Sequence, residues 1–182
     1  TVDAHTRKGY NTDGAGFLLM LRNSGVDTAG KSFLVLGCGG VGRSVIKKLL
    51  DAGAQVFAFD LNKESLQKVH AEFPGFIPLE RVEAKPYDVV VNCTGVGMHR
   101  TEGVSPVGAD VLSLCSAAVD HIYVPAKSEF LRIAESCGKK IVNGEAMLFY
   151  QAYFSDCIYL GAEPSDEEAG GLFAKYKEKY KE

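Results

Sequence analysis

The sequence predicts an α/β fold, a doubly wound parallel sheet in a three-layer αβα sandwich, on three observations. Short apolar runs of strand length alternate with helix-period segments along most of the chain, a pattern that places helices on both faces of a parallel sheet. The run Phe33-Leu34-Val35-Leu36 leads directly into Gly37-Cys38-Gly39-Gly40-Val41-Gly42, which opens the helix-like run Arg43 to Leu50. The next run, Gln55 to Phe59, ends in Asp60, an acid roughly 20 residues beyond the glycine loop. Strand, glycine turn, helix and distal acid together predict a Rossmann-like dinucleotide site. Gly37 permits the turn, Gly39 lets the backbone approach a pyrophosphate, and Gly42 allows the helix to pack on the strand. The helix N-terminus offers free N–H groups and a positive dipole end to the phosphates, and Asp60 stands where a carboxylate holds the adenosine ribose.

The remaining elements follow in order. The opening Thr1 to Thr6 begins without a strand of its own, and with Thr rather than Met at position 1 the sequence reads as a piece of a longer chain. Asn11-Thr12-Asp13-Gly14 supplies cap residues ahead of a short helix through Phe17 to Leu21, and Gly25 with Asp27 to Gly30 forms a loop. Asn62 caps a helix over Lys63 to Glu72. The proline-bearing stretch Phe73 to Pro86 is expected to hold a short strand at Phe76-Ile77 and one loose helical turn. Tyr87 to Asn92 reads as a fully buried strand, being β-branched, apolar and bounded by turn signals. Gly95 to Met98 leaves it as a loop, and the polar stretch to Asp110 is expected at the surface. A strand over Ala117 to Tyr123 is stopped by Pro125. Ser128 caps a helix to Cys137, which Gly138 ends; Lys140-Ile141-Val142 is a last short strand. A long helix from Glu145 to Leu160 is closed by Gly161, and Ser165 to Glu168 form a capping box for a terminal helix reaching Tyr180. The mixed charges of Lys175 to Glu182 read as a solvated helical face.

The 182 residues carry a net charge of -3, which gives no bulk attraction for nucleic acid or an anionic membrane. No run approaches the roughly 20 apolar residues of a membrane span, and a cytoplasmic location is the expectation. The five cysteines are dispersed and contain no C-x-x-C pair, so they are read as reduced; Cys38 is either a small filler of the turn or a thiol acidified by the helix beside it. The four histidines, His5, His70, His99 and His121, have no metal-ligand spacing and are read as surface or satisfied structural groups, so no metal is expected.

Five segments in order, Gly9-Tyr10-Asn11-Thr12-Asp13-Gly14, the Gly37 to Arg43 loop, Val91-Asn92-Cys93-Thr94-Gly95-Val96-Gly97-Met98, Asp120-His121-Ile122-Tyr123-Val124-Pro125 and Asn143-Gly144-Glu145-Ala146-Met147-Leu148-Phe149-Tyr150-Gln151-Ala152, resemble the shikimate dehydrogenase family over nearly the whole chain. The resemblance implies one NAD(P)-binding domain over residues 1–182, with C-terminal helices packing back toward the cleft. It also implies NAD(P)-linked, reversible oxidation of the shikimate ring hydroxyl to 3-dehydroshikimate in aromatic amino-acid biosynthesis. Asp13 falls at the family's catalytic aspartate and Gln151 at a glutamine that contacts substrate hydroxyls. Tyr123 resembles a tyrosine near the substrate. On the cofactor side the resemblance places Gly37, Gly39, Gly40, Val41, Gly42, Asp60, Leu61, Cys93, Thr94, Gly95, Val96, Gly144 and Met147, with Thr94 to Gly97 passing under the nicotinamide ribose. From the residues alone, the alternative readings are Asp13 as a helix N-cap, which is the preferred one there, Gln151 as an exposed polar residue, Met147 as core filler and Tyr123 as a buried edge tyrosine. Gly95 departs from the proline or serine more usual there.

Two further departures matter. The family's N-terminal substrate domain, with its catalytic lysine, has no counterpart among these residues; the polypeptide alone is expected to bind cofactor and to turn over little or no shikimate, since a proton partner and half the substrate pocket are missing. After the second strand, NADP-using members carry an arginine for the 2′-phosphate, whereas this chain has Asp60-Leu61-Asn62. Asp60 accepts from a ribose 2′-OH and repels a 2′-phosphate, and Lys63 is a poor substitute for arginine, so NAD is expected over NADP. The same pair resembles the NAD-using quinate/shikimate branch. Quinate or aminoshikimate oxidation, and a non-catalytic NAD-binding sensor, are the alternatives; a homo-oligomer is compatible with all of them.

Overall fold

The computed structural model describes residues 1–3 and 8–180, so His5 and the last two residues of the charged tail lie outside the described residues. In chain order the elements are β1 (Val2–Asp3), β2 (Lys8–Gly9), α1 (Asp13–Asn23), β3 (Ser32–Leu36), α2 (Gly40–Asp51), β4 (Gln55–Phe59), α3 (Lys63–Glu72), β5 (Ile77–Pro78), β6 (Val89–Asn92), α4 (Ala109–Leu112), β7 (Ala117–Asp120), α5 (Glu129–Ser136), β8 (Lys140–Val142), α6 (Glu145–Leu160) and α7 (Asp166–Lys179), with a 3₁₀ turn at His99–Thr101. They group into two compact units, Asp27–Glu145 and Thr1–Val26 with Ala146–Glu182.

The unit Asp27–Glu145 is built on a six-stranded sheet of order β5-β4-β3-β6-β7-β8 in which every pairing is parallel. After β3 the chain winds outward through β4 and β5, then returns to β6 on the other side of β3. That reversal makes a topological switch point, where the loops leaving β3 and β6 diverge and open a crevice. The strands read as continuous apolar runs because both sheet faces are covered. Leu34, Leu36, Val90 and Ala118 pack with Val111 and Leu112 of α4 and Phe130, Leu131 and Ala134 of α5. Phe33, Val35, Val89, Val91 and Val119, all buried, fall on the opposite face by the strand period of two, and α2 buries Val45, Ile46 and Leu49. At the base of the sheet, the Asp88 carboxylate accepts the Ser32 N–H at 2.9 Å and the Ser32 hydroxyl at 2.7 Å. Those two donors, helped by Lys31, hold the Asp88 carboxyl below the usual carboxylate range.

Local chemistry accounts for the helix ends. The Asn62 side chain accepts from the N–H groups of Glu64 and Ser65, and Ser128 accepts from Leu131 N–H. Four expectations are corrected here. β7 ends at Asp120 rather than Tyr123, because the Asp120 carboxylate accepts the Ile122 N–H at 3.0 Å and turns the chain. Phe73 to Pro86 holds no helical turn; Pro74, Pro78 and Pro86 remove the amide donors one would need. The stretch to Asp110 is largely at the surface as expected, but Val107 within it is buried, and Gly108 caps α4, whose Val111 and Leu112 reach the core just beyond it. His70 is neither a surface group nor a satisfied one: its Nδ1 is buried with no hydrogen-bond partner among the described residues, and the ring meets Phe76 edge-on.

In the other unit, the opening segment does contain a strand. Val2–Asp3 pairs antiparallel with Lys8–Gly9, extended by Tyr10 N–H donating to Thr1 O at 2.8 Å, so backbone groups that would otherwise be unpaired find partners. Helices α1 and α6 approach backbone to backbone at Gly16, where a Cβ would lie 2.7 Å from Gln151 N and 2.8 Å from Met147 O. Asn23 Nδ2 donates to the Tyr150 hydroxyl at 2.9 Å, and Arg22 pairs with Asp166 of α7. Ser165 caps α7 by accepting from Glu168 N–H, as the capping box requires. The reciprocal half runs through a third residue: Ser165 N–H donates to the Tyr153 hydroxyl, which donates to Glu168 Oε2 at 2.8 Å. Along the charged tail, Tyr176 is half-buried and clusters with Phe149 and Phe173, so one stripe of that face is packed rather than solvated.

Candidate functional site

The crevice of the Asp27–Glu145 unit is a pocket of about 400 Å³ between the loop after β3, the end of β4 and the loop after β6. Gly37 and Gly39 line it from the first, Asp60 and Leu61 from the second, and Cys93, Thr94 and Val96 from the third. Gly37 has φ +95°, and a Cβ there would lie 2.9 Å from Thr94 Cγ2 and 3.0 Å from Cys93 O. Its N–H donates to Phe59 O at 2.8 Å, tying the turn to β4. A Cβ on Gly42 would stand 1.9 Å from Gly37 O, so the first turn of α2 closes on the loop only because position 42 has no side chain. Gly39 is the extended N-cap of α2, with no side chain to satisfy the helix amides, and a Cβ at Gly39 or Gly40 would meet nothing within 4 Å. The helix therefore presents its N-terminal amides to open space, with half-buried Val41 behind them.

Asp60 is braced on both oxygens. Oδ2 accepts the Cys38 N–H at 2.6 Å and Oδ1 accepts the Asn62 N–H at 2.7 Å, so the carboxylate joins the glycine loop to the turn that starts α3. Each oxygen keeps a lone pair for a further donor. Asp60 is the one charged group among the described residues lining the pocket, and Leu61 is 87% exposed at its rim. The nearby cations are engaged: Lys63 Nζ donates to Glu80 O at 2.7 Å, and Arg43 pairs with Glu72 through Nε at 2.7 Å. Burial, and then the Asp60 charge, push the Cys38 thiol up to about 12, which removes the acidified-thiol reading and leaves the small filler. Burial likewise raises Cys93, and all five cysteines are free.

On the β6 side, the Thr94 hydroxyl donates to Asn92 Oδ1 at 2.7 Å and accepts from Val96 N–H at 3.1 Å, folding Thr94 to Gly97 into a tight polar loop. Gly95 is exposed within it, with open space at its Cβ position. Tyr123, just beyond β7, is 45% exposed, which rules out the buried edge tyrosine. A Cβ on Gly144 would lie 1.9 Å from His121 O, and Gly144 N–H donates to Ile122 O at 3.0 Å, so this glycine is required by a close approach to the β7 loop.

The other predicted residues belong to the second unit. Asp13 is the first residue of α1 rather than its cap; the N-cap is Thr12, which makes no side-chain cap bond, and Asn11 Oδ1 accepts the Asp13 N–H at 3.0 Å. The cap role therefore does not compete for the Asp13 carboxylate. Gln151 is half-buried; the Thr12 hydroxyl reaches its Oε1 at 3.4 Å, and its Nε2 donates to Leu148 O at 3.1 Å. Met147 shares that face one turn away and is buried at 6% exposure. Three groups were missed by sequence reasoning: buried Thr12, buried Asn92 and Asp120, and Gly16. Asn92 and Asp120 had a signal, since each is a polar residue closing an apolar strand, and the two lie side by side in register.

No protein-family model matches the sequence. Among curated relatives, the shikimate dehydrogenase (NADP(+)) of Carboxydothermus hydrogenoformans is 32% identical over 166 residues, covering 86% of this chain and 59% of that protein. That of Caldicellulosiruptor bescii is 38% identical over 159 residues, covering 82% of this chain and 55% of its own length. Among solved structures, a chorismate mutase/shikimate 5-dehydrogenase fusion protein from Clostridium acetobutylicum superposes with a TM-score of 0.83 at 35% identity, over 96% of this chain and 64% of that one. Shikimate 5-dehydrogenase from Thermus thermophilus, solved with NADP(H) and shikimate, gives a TM-score of 0.77 at 32% identity over 88% of this chain and 60% of that one. The chain thus spans less than two thirds of the relatives it matches, and among its described residues no helix is long and apolar enough to cross a membrane. In sequence and in fold, with the glycine loop and switch-point crevice at the expected places, the chain is similar to shikimate dehydrogenases over most of its own length.

Proposed function

We propose that this chain is the nucleotide-binding part of an NAD(P)-dependent oxidoreductase that interconverts shikimate and 3-dehydroshikimate, with NAD as the preferred cofactor. The observation that carries the reading is the crevice itself. Open helix amides at Gly39 and Gly40 suit a pyrophosphate, and a carboxylate 2.6 Å from the loop's own amide at Cys38 stands ready for ribose hydroxyls. A bound nicotinamide supplies the hydride acceptor for the carbinol carbon. The residues of this chain then have separate tasks. Asp60 orients the adenosine ribose, Gly37 to Gly42 with Val41 cradle the phosphates, and Cys93 to Val96 and Gly144 shape the second half of the cofactor site. On the substrate side, Asp13 takes up or returns the hydroxyl proton together with a lysine that the family resemblance places outside these residues. Gln151 and Tyr123 contact the hydroxy acid. Buried Met147 acts from the core behind Gln151, setting its helix face.

The relatives are named for NADP(+). The preference for NAD here is supported by the lone negative charge in the pocket and by cations already committed elsewhere, Lys63 to Glu80 and Arg43 to Glu72. Quinate is the second substrate to consider, because Asp60-Leu61 resembles the NAD-using quinate/shikimate branch. Free cysteines suit action in the cytoplasm. Calorimetric titration of the protein with NAD⁺ tests the reading: saturable binding is expected, and no binding overturns it. Following NADH formation by the intact gene product with shikimate or quinate then assigns the substrate, and no formation with either overturns the oxidoreductase assignment.

A further inference from the structure

Asp120 is fully buried at the end of β7, and three donors converge on its carboxylate. Asn92 Nδ2 reaches Oδ1 at 3.1 Å, Ile122 N–H reaches the same oxygen at 3.0 Å, and the Ser128 hydroxyl donates to Oδ2. Ser128 in turn accepts from Leu131 N–H as the N-cap of α5, so the carboxylate is also fastened to a helix. Asn92 is 0% exposed and spends every remaining polar atom on the neighbouring loop. Its Nδ2 also donates to Val96 O at 3.1 Å, while its Oδ1 accepts from the Thr94 N–H at 3.0 Å and the Thr94 hydroxyl at 2.7 Å. The loops from β6 and β7 interlock sterically as well. Gly97 has φ +109°, and a Cβ there would lie 3.3 Å from Ser128 Cβ and 3.4 Å from Ile122 Cδ1.

The amide of Asn92 has two possible orientations, and only one puts its NH₂ toward a carboxylate and its oxygen toward the Thr94 donors. Val96 O and the Thr94 N–H select the same orientation, and Asp120 anchors it to β7, holding the amide and with it the path of the backbone from Thr94 to Val96. A carboxylate with three donors in a dry interior holds its neighbours more firmly than a neutral acceptor does, because charge-assisted hydrogen bonds are roughly twice as strong.

We propose that Asp120 is a positioning residue: through Asn92 it sets the Thr94–Gly97 loop, and thereby the affinity for the nicotinamide half of the dinucleotide, without touching the ligand. This rests on the nucleotide reading above, in which the β3–β4 half of the sheet takes the adenosine and the β6–β7 half the nicotinamide. Binding of ADP, which engages only the first half, is then a control within the same protein.

The experiment is calorimetric titration of the full 182-residue polypeptide and its variants with NAD⁺ and with ADP. For Asp120→Ala, at least a tenfold loss of NAD⁺ affinity is expected, with ADP affinity held within about twofold. Asp120→Asn restores NAD⁺ binding to within about threefold, because its side-chain oxygen still accepts from Asn92 and Ile122 while the Ser128 hydroxyl reverses to accept. Should Asp120→Ala not fold, Ser128→Ala removes one of the three donors and leaves the Asn92 arm, and a smaller NAD⁺-only loss of about threefold is expected. Equal losses for NAD⁺ and ADP, no loss for either, or an Asp120→Asn variant as defective as Asp120→Ala overturns the proposal. Wild-type protein that binds neither ligand overturns the nucleotide reading itself, a different result from wild-type protein that binds both while the variants fail to separate them.

Discussion

Replacing Asp60 by Asn removes one charge from the rim of the pocket and leaves the shape of the side chain intact. The 2′-phosphate of NADP carries roughly -1.5 to -2 charge. Placed about 5 Å from the Asp60 carboxylate, it is repelled by about 1.2 to 1.7 kcal/mol at an effective dielectric of about 80 and by about 5 to 7 kcal/mol at about 20. The pocket is open to water at Leu61, which is 87% exposed, so the lower end applies. Wild-type protein is therefore expected to bind NAD⁺ at least about tenfold tighter than NADP⁺, a difference of about 1.4 kcal/mol. In Asp60→Asn the ratio falls to within about threefold. The variant also has a structural cost. Both carboxylate oxygens accept backbone N–H groups, from Cys38 and Asn62, and an amide side chain can serve only one of them. The stranded, half-solvated N–H costs about 1 kcal/mol, which lowers the melting temperature by about 2 to 4 °C for a chain of this size. Parallel calorimetric titrations with NAD⁺ and NADP⁺, and thermal melts of both proteins, read these effects separately. Equal or tighter NADP⁺ binding by the wild type refutes the electrostatic argument, and a ratio unchanged in Asp60→Asn shows that some other group selects the cofactor.

The glycine loop separates two effects that usually travel together. Gly39→Ala is expected to leave the melting temperature unchanged, since its Cβ meets nothing within 4 Å, yet to weaken NAD⁺ by at least tenfold because the proposed pyrophosphate site occupies that space. Gly42→Ala places a Cβ 1.9 Å from Gly37 O and is expected to lose both stability and binding; unchanged melting in Gly42→Ala would sink the packing argument. At Gly16→Ala, overpacking against Gln151 N and Met147 O is expected to cost about 1 to 3 kcal/mol, measured by urea denaturation, with the difference disappearing if α1 and α6 can separate freely. The Asp88 carboxyl sits below its ordinary value because Ser32 donates to it, so its stabilising contribution is present above the unfolded-state value of 3.8 and is lost as pH falls through the lower folded-state value. Melting temperatures of wild type and Asp88→Asn are thus expected to converge on acidification below that point, and a gap that widens there contradicts the assignment.

Much of this molecule was legible from local pattern. The strand-glycine-helix unit, the acid ending the second strand, and the caps Asn62, Ser128 and Ser165 depend on backbone geometry and near neighbours that a linear sequence displays directly. The alternation of apolar runs and helix-period segments was sufficient for a parallel sheet with flanking helices. What pattern could not supply were contacts made across distance. The end of β7 depends on a side chain folding back on its own backbone, and the capping box of α7 is completed by Tyr153 from another helix. That Gly16 must be glycine follows from the approach of α6, far along the chain, where Gln151 N would meet its Cβ at 2.7 Å. The bracing of Asp60 and the convergence of Asn92, Ile122 and Ser128 on Asp120 likewise arise only once neighbouring strands stand in register. The chain alone determined which chemistry is available, because residue types and short-range geometry are written into it. Tertiary structure alone decided which polar groups are buried together, because burial and hydrogen-bond partners are properties of segments that meet in space.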